Sequence, residues 1–66
     1  MVGKQGRVTG AIGPGLVGEV VLSVRGGSEA FYAYAAEPDA VIGVGEAVLV
    51  VEYQPPRTVV VATWNR

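Results

Sequence analysis

The sequence contains no cysteine and no histidine. Without cysteine there is no disulfide, no thiol nucleophile and no thiolate metal ligand, which suits a reducing compartment. Without histidine the Ser-His and Cys-His pairs that activate a nucleophile are excluded, along with the commonest metal ligand. Lysine is nearly missing as well. A Ser-Lys pair would have to join Lys4 to Ser23 or Ser28, and Lys4 stands in a leader over residues 1–6, before the first strand. A solvated ammonium in a mobile leader is the simpler reading. No apolar run approaches the ~18 residues that read as a membrane-crossing helix, and Met1-Val2-Gly3-Lys4 lacks the apolar stretch of a signal peptide. The chain therefore reads as soluble, by itself or as the soluble part of a longer membrane protein. An excess of one charge is absent too. Five basic side chains stand against six acidic ones, for a formal net charge of −1. That balance gives no strong field to draw in phosphate backbones.

What remains is mostly valine, alanine and glycine. Half of the 66 residues are hydrophobic. Valine is β-branched and favours strands. A chain this short is one domain, residues 1–66, burying only about 60% of the surface its unfolded form exposes. A deep catalytic pocket is hard to fit beside its core.

Glycine and proline cut the chain into five segments. Arg7 to Ile12 is the first strand, with Gly10 marking a bend or bulge. Gly13-Pro14-Gly15 is a turn. No Lys-Ser or Lys-Thr pair follows it, so it is not a phosphate cradle. Gly18 to Arg25 is the second strand, placing Val20, Leu22 and Val24 on one face and Glu19, Ser23 and Arg25 on the other, with Val21 the exception. Gly26-Gly27 makes a tight hairpin. The third strand, Ser28 to Ala36, sets Phe31, Ala33 and Ala35 on the core face and Tyr32 and Tyr34 on the opposite one. Glu37 to Gly45 is the longest connection and reads as a loop. Glu46 to Tyr53 is almost continuously apolar, which predicts burial on both faces. Gln54-Pro55-Pro56 turns the chain into a fifth strand, Arg57 to Trp64. No stretch has sustained helical periodicity. Five short strands split by Gly and Pro predict an all-β fold. Closing the sheet hides its edges. The expected architecture is a small five-stranded OB-fold-type barrel, with an SH3-like barrel as the rival.

Four local patterns fall in order along this frame. They are Gly3-Lys4-Gln5-Gly6-Arg7-Val8, then Gly13-Pro14-Gly15 leading into Gly18-Glu19-Val20, then Phe31-Tyr32-Ala33, and last Gly45-Glu46-Ala47-Val48-Leu49-Val50-Val51. Val59-Val60-Val61 closes the series. This ordered set, covering nearly the whole chain, resembles the C-terminal soluble domain of NfeD-like membrane proteins. The sequence departs from the family pattern at Phe31, where many members carry Trp. The resemblance implies an OB fold and, in the intact protein, transmembrane helices that anchor this domain on the cytoplasmic side. It also implies a stomatin- or flotillin-like membrane partner, with a role in membrane organisation or in regulating membrane protease activity. Long members of the family add a serine-protease domain with a Ser-Lys pair. Nothing of that domain is present here.

The residues themselves offer no catalytic constellation. Glu19, Glu29, Glu37, Asp39, Glu46 and Glu52 are scattered over different strands and loops, whereas paired-acid catalysis needs two carboxylates at a set separation in unlike environments. The chain reads as no enzyme, with no cofactor and no metal site. OB folds often bind single-stranded nucleic acid by stacking bases on strand aromatics beside a basic groove. Here Arg7, Arg25 and Arg57 are dispersed, so oligonucleotide binding is the alternative rather than the leading reading. The leading one is a protein-interaction domain. Its candidate contacts are Tyr32, Tyr34 and Tyr53, with Val21 as an apolar addition. Val21, Val44 and Val60 either exceed what so small a barrel holds, leaving an apolar patch, or pack beneath the Glu37–Gly45 loop.

Overall fold

The computed structural model describes residues 1–64. Its strands are β1 (Gln5–Gly10), β2 (Gly18–Val24), β3 (Gly27–Ala35), β4 (Ala47–Gln54) and β5 (Thr58–Thr63). They form a closed barrel in the order β1-β2-β3-β5-β4, and β4 returns to pair with β1. Every neighbouring pair is antiparallel except β3 and β5, which run parallel. Parallel strands need a long crossover, and β4 with its two connections supplies it. This is the OB-type arrangement expected from the sequence, not the SH3-like rival.

Turn chemistry sets the register. The β2–β3 hairpin turns on Arg25-Gly26, whose φ angles are 49° and 80°, as a two-residue I′-type loop demands. The turn thus sits one residue earlier than Gly26-Gly27. Gly10 marks an irregularity as predicted, because the β1–β2 register shifts between Val8 and Gly10. The chain then leaves β1 before Ile12. Ile12 instead forms an isolated bridge with Ile42, each backbone N–H donating to the other's carbonyl at 2.9 Å. That bridge ties the β1–β2 connection to the β3–β4 connection at one end of the barrel. Gly18 permits the close approach there. A Cβ on it would stand 2.3 Å from Ile12 Cγ1 and 2.5 Å from the Gly10 carbonyl oxygen.

The leader needs correction. Gln5 and Gly6 belong to β1. Ahead of them the Gly3 N–H donates to the Val50 carbonyl and the Val50 N–H donates to the Lys4 carbonyl, each at 2.8 Å. Residues 3–6 are zipped onto β4 rather than hanging free, because β4 extends far enough to supply partners.

Strand alternation fills the interior. Val8, Val20, Leu22, Phe31 and Ala33 line it from β1 to β3, and Val48, Val50, Val59 and Val61 from β4 and β5. Ile12 and Ile42 plug one end. Among the described residues no polar or charged side chain is buried. β4 departs from its reading as a strand buried on both faces. Val48 and Val50 are buried, Leu49 is half-buried and Val51 is 42% exposed. The cause is a bulge: the β4–β5 register shifts between Val50 and Glu52, leaving Val51 without an opposite residue. The extra residue reverses the in–out phase of everything after it.

Candidate interaction surface

Tyr32 is the centre of the outer face of β2 and β3. Alternation aims it outward, since Phe31 and Ala33 on either side face the core. It is 62% exposed. Glu19 stands opposite it on β2 and Thr58 opposite it on β5. Tyr32 separates two depressions. On one side is an open groove of 410 Å³ lined by Gly10, Ala11, Leu16, Val17, Gly18 and Glu19. On the other is a cleft of 230 Å³ lined by Glu19, Ala30, Phe31 and Arg57.

The groove is apolar because of the turn that builds it. Pro14 and Gly15 occupy the central positions of a tight turn, and Gly15 has φ 70°, the positive value a type II turn needs there. Gly13 and Leu16 close the turn with reciprocal backbone hydrogen bonds. Leu16 and Val17 are then presented to solvent at 55% and 46% exposure. The cleft is charged where Glu19 and Arg57 border it. Arg57 lies over the Phe31 ring, 5.4 Å from its centroid. Its guanidinium donates to Glu29 Oε1 at 2.9 Å and to the Ala30 carbonyl at 3.2 Å. The Arg57–Glu29 contact is the one ion pair among the described residues. Arg7 is engaged as well, donating to the Gly45 carbonyl at 2.7 Å. Glu19 accepts a hydrogen bond from Thr9 Oγ1 at 2.7 Å.

These surroundings offer shape, exposed apolar area and hydrogen-bonding groups. Among the described residues no three His, Cys, Asp or Glu side chains come together to hold a metal ion, and no helix is long and apolar enough to cross a membrane. The NfeD C-terminal domain model matches residues 5–62, a span that runs from the start of β1 into β5. The chain belongs to the NfeD C-terminal domain family.

Solved structures agree with that membership. The soluble domain of the NfeD protein YuaF from Bacillus subtilis superposes with a TM-score of 0.81 at 28% identity, covering 97% of this chain and 74% of that one. The soluble domain of a membrane protein implicated in regulation of membrane protease activity, from Corynebacterium glutamicum, gives 0.77 at 28% identity, covering 97% and 89%. The C-terminal domain of stomatin operon partner protein 1510-C from Pyrococcus horikoshii gives 0.71 at 29% identity, covering 100% and 91%. Among curated proteins none matches.

In this NfeD C-terminal domain the four residues singled out from sequence divide. Tyr32 and Tyr34 share the outer face of β3. Val21 lies on the same outer face of β2, opposite Ala30 and half-buried. It borders a separate shallow depression with Gln5, Arg7 and Ser23. Tyr53 does not join them. The Val51 bulge turns it toward the core, where it packs edge-on against Phe31 with ring centroids 6.5 Å apart. Its hydroxyl donates to the Pro56 carbonyl at 3.1 Å. Of the three excess valines, Val44 is exposed whereas Val21 and Val60 are half-buried. Leu16 and Val17 were not singled out from sequence. Two apolar residues between a Pro-Gly turn and the first glycine of a strand were the available signal.

Proposed function

We propose that this NfeD C-terminal domain is a non-catalytic interaction module. In the intact membrane-anchored protein it sits on the cytoplasmic side and binds a stomatin- or flotillin-like partner, organising the membrane or regulating a membrane protease. The observation that carries this reading is the Tyr32 surface. A large aromatic stands between two depressions, beside Leu16 and Val17, on a barrel whose interior is filled. Exposed contiguous apolar area of this kind marks interaction sites, and rigid aromatic anchors dominate the energetics of such contacts. Two similar structures, those of a stomatin operon partner protein and of a membrane protein implicated in regulation of membrane protease activity, support the choice of partner. Tyr32 is the principal contact, Tyr34 and Val21 lie around it, and Tyr53 holds the barrel end together. The oligonucleotide alternative has less support, since Arg7 and Arg57 already bond within the domain and Glu19 sets a carboxylate beside Tyr32.

The test is co-purification of a tagged domain with a co-expressed stomatin-type protein. Wild type is expected to retain it, Tyr32→Ala to lose most of it, and Ser28→Ala on the same strand to behave as wild type. Equal retention by all three would count against the Tyr32 surface. No retention by wild type would count against the partner.

A further inference from the structure

Among the described residues the charges of this barrel are sorted by end, and the apolar groove lies at the acidic one. The two connections tied together by the Ile12–Ile42 bridge, residues 11–17 and 36–46, carry Glu37, Asp39 and Glu46 and neither lysine nor arginine. Glu19 adds a fourth carboxylate in the groove wall itself. Among the described residues Arg7 reaches toward this end, its guanidinium taken by the Gly45 carbonyl, and Arg57 shares with Glu19 the cleft on the other side of Tyr32. Arg25 lies in the β2–β3 turn at the far end, and Arg57 is paired with Glu29. Among the described residues Glu19 has no cationic partner. Its carboxylate accepts only from the neutral Thr9 hydroxyl.

An apolar floor with a carboxylate in its wall that is held only by a neutral hydroxyl selects among apolar ligands by charge. We infer that the groove between the Pro14–Val17 turn and Tyr32 takes an extended apolar segment of a partner protein that carries a lysine or arginine beside its apolar residues. The apolar side chains lie against Leu16, Val17 and Ala11, and the cation meets Glu19. Acidic neighbours repel the anionic surface of a lipid leaflet, which argues for a peptide segment over a membrane as the occupant. The inference deepens the proposed function: it rests on that contact reading and adds which chemistry the surface prefers.

The experiment titrates the 15N-labelled 66-residue chain with three capped peptides that share a Leu-Val-Leu centre and differ in their flanks: two lysines, two serines or two glutamates. The lysine-flanked peptide is expected to shift the amides of residues 10–19 and Tyr32. It should bind about two- to five-fold more tightly than the serine-flanked one, as one exposed charge pair supplies. The gap should close in added salt and vanish in Glu19→Gln, whose side-chain oxygen still accepts from Thr9. Leu16→Ser should weaken all three peptides together. Equal affinity whatever the flank overturns the inference, as does a response centred elsewhere on the barrel. Shifts of the same amides on simple dilution, without peptide, overturn it in favour of a second copy as occupant. Retention of a stomatin-type protein through Tyr32, with no preference among the peptides, overturns the charge rule and leaves the proposed function standing.

Discussion

Gly6 is an inward-facing position with no side chain, and the neighbouring strand has filled its place. It pairs with Leu22 on β2 and with Val48 on β4. A Cβ on Gly6 would stand 2.3 Å from Leu22 Cδ2 and 2.9 Å from the Val21 carbonyl oxygen. Leu22 is fully buried, so its terminal methyl cannot swing aside into solvent. Gly6→Ala should therefore cost about 1–3 kcal/mol, the range for overfilling a packed core. Leu22→Val removes the obstructing Cδ2 and should cost about 0.5–1.5 kcal/mol, as other one-methylene deletions do. In the double variant the new methyl enters the space that Cδ2 vacates. The double should then be more stable than the sum of the singles by about 1 kcal/mol, the coupling expected of side chains in contact. Rescue is incomplete because the Val21 carbonyl does not move. The effect of alanine on the unfolded chain occurs in both arms of the cycle and cancels. Urea unfolding of the four proteins by circular dichroism gives the numbers, set against the roughly 3–10 kcal/mol typical of domains this long. Additivity within about 0.5 kcal/mol would refute the claim that Leu22 occupies the place of a Gly6 side chain.

The bulge predicts a contrast between adjacent valines. Val51→Thr should change stability by less than about 0.5 kcal/mol, whereas Val50→Thr should cost about 1–3 kcal/mol because it buries an unpartnered hydroxyl; equal effects in thermal melts would remove the bulge. Gly18→Ala should cost at least about 2 kcal/mol, since two of the atoms its methyl meets are backbone carbonyl oxygens that cannot turn away; a neutral result in the same melts would mean the barrel end is loosely packed. Glu29→Gln, which breaks the half-exposed pair with Arg57, should cost less than about 1 kcal/mol and less still in high salt, a difference readable in paired urea titrations.

Much of the barrel was legible in the chain. Val20, Leu22 and Phe31, Ala33 fall on the core face at the alternation their strands announce, and the turns follow glycine and proline. The β4 strand misled because a bulge leaves no mark in a run of valines. Val48, Leu49, Val50 and Val51 look alike, yet one is unpaired, and only pairing with β5 decides which. Tyr53 was misplaced for the same reason, since counting by twos from Val50 puts it outside whereas the extra residue brings it in. The leader looked free because its partner, Val50, lies more than forty residues away and no local signal foretells it. On the surface, Tyr32 and Tyr34 followed from strand alternation. Leu16 and Val17 did not, because whether a turn folds over the core or away from it depends on the Ile12–Ile42 bridge. Sorting of charge by barrel end was invisible too, for it needs the two connections to meet.

The first and last strands both lie against β4, one on each side, and run in the same direction. A tug on the two chain ends would drag β1 and β5 oppositely along β4. That is a shearing geometry, in which a whole row of hydrogen bonds takes the strain together instead of opening one at a time like a zip. The domain is thus expected to resist extension through its termini far better than its size and modest core suggest.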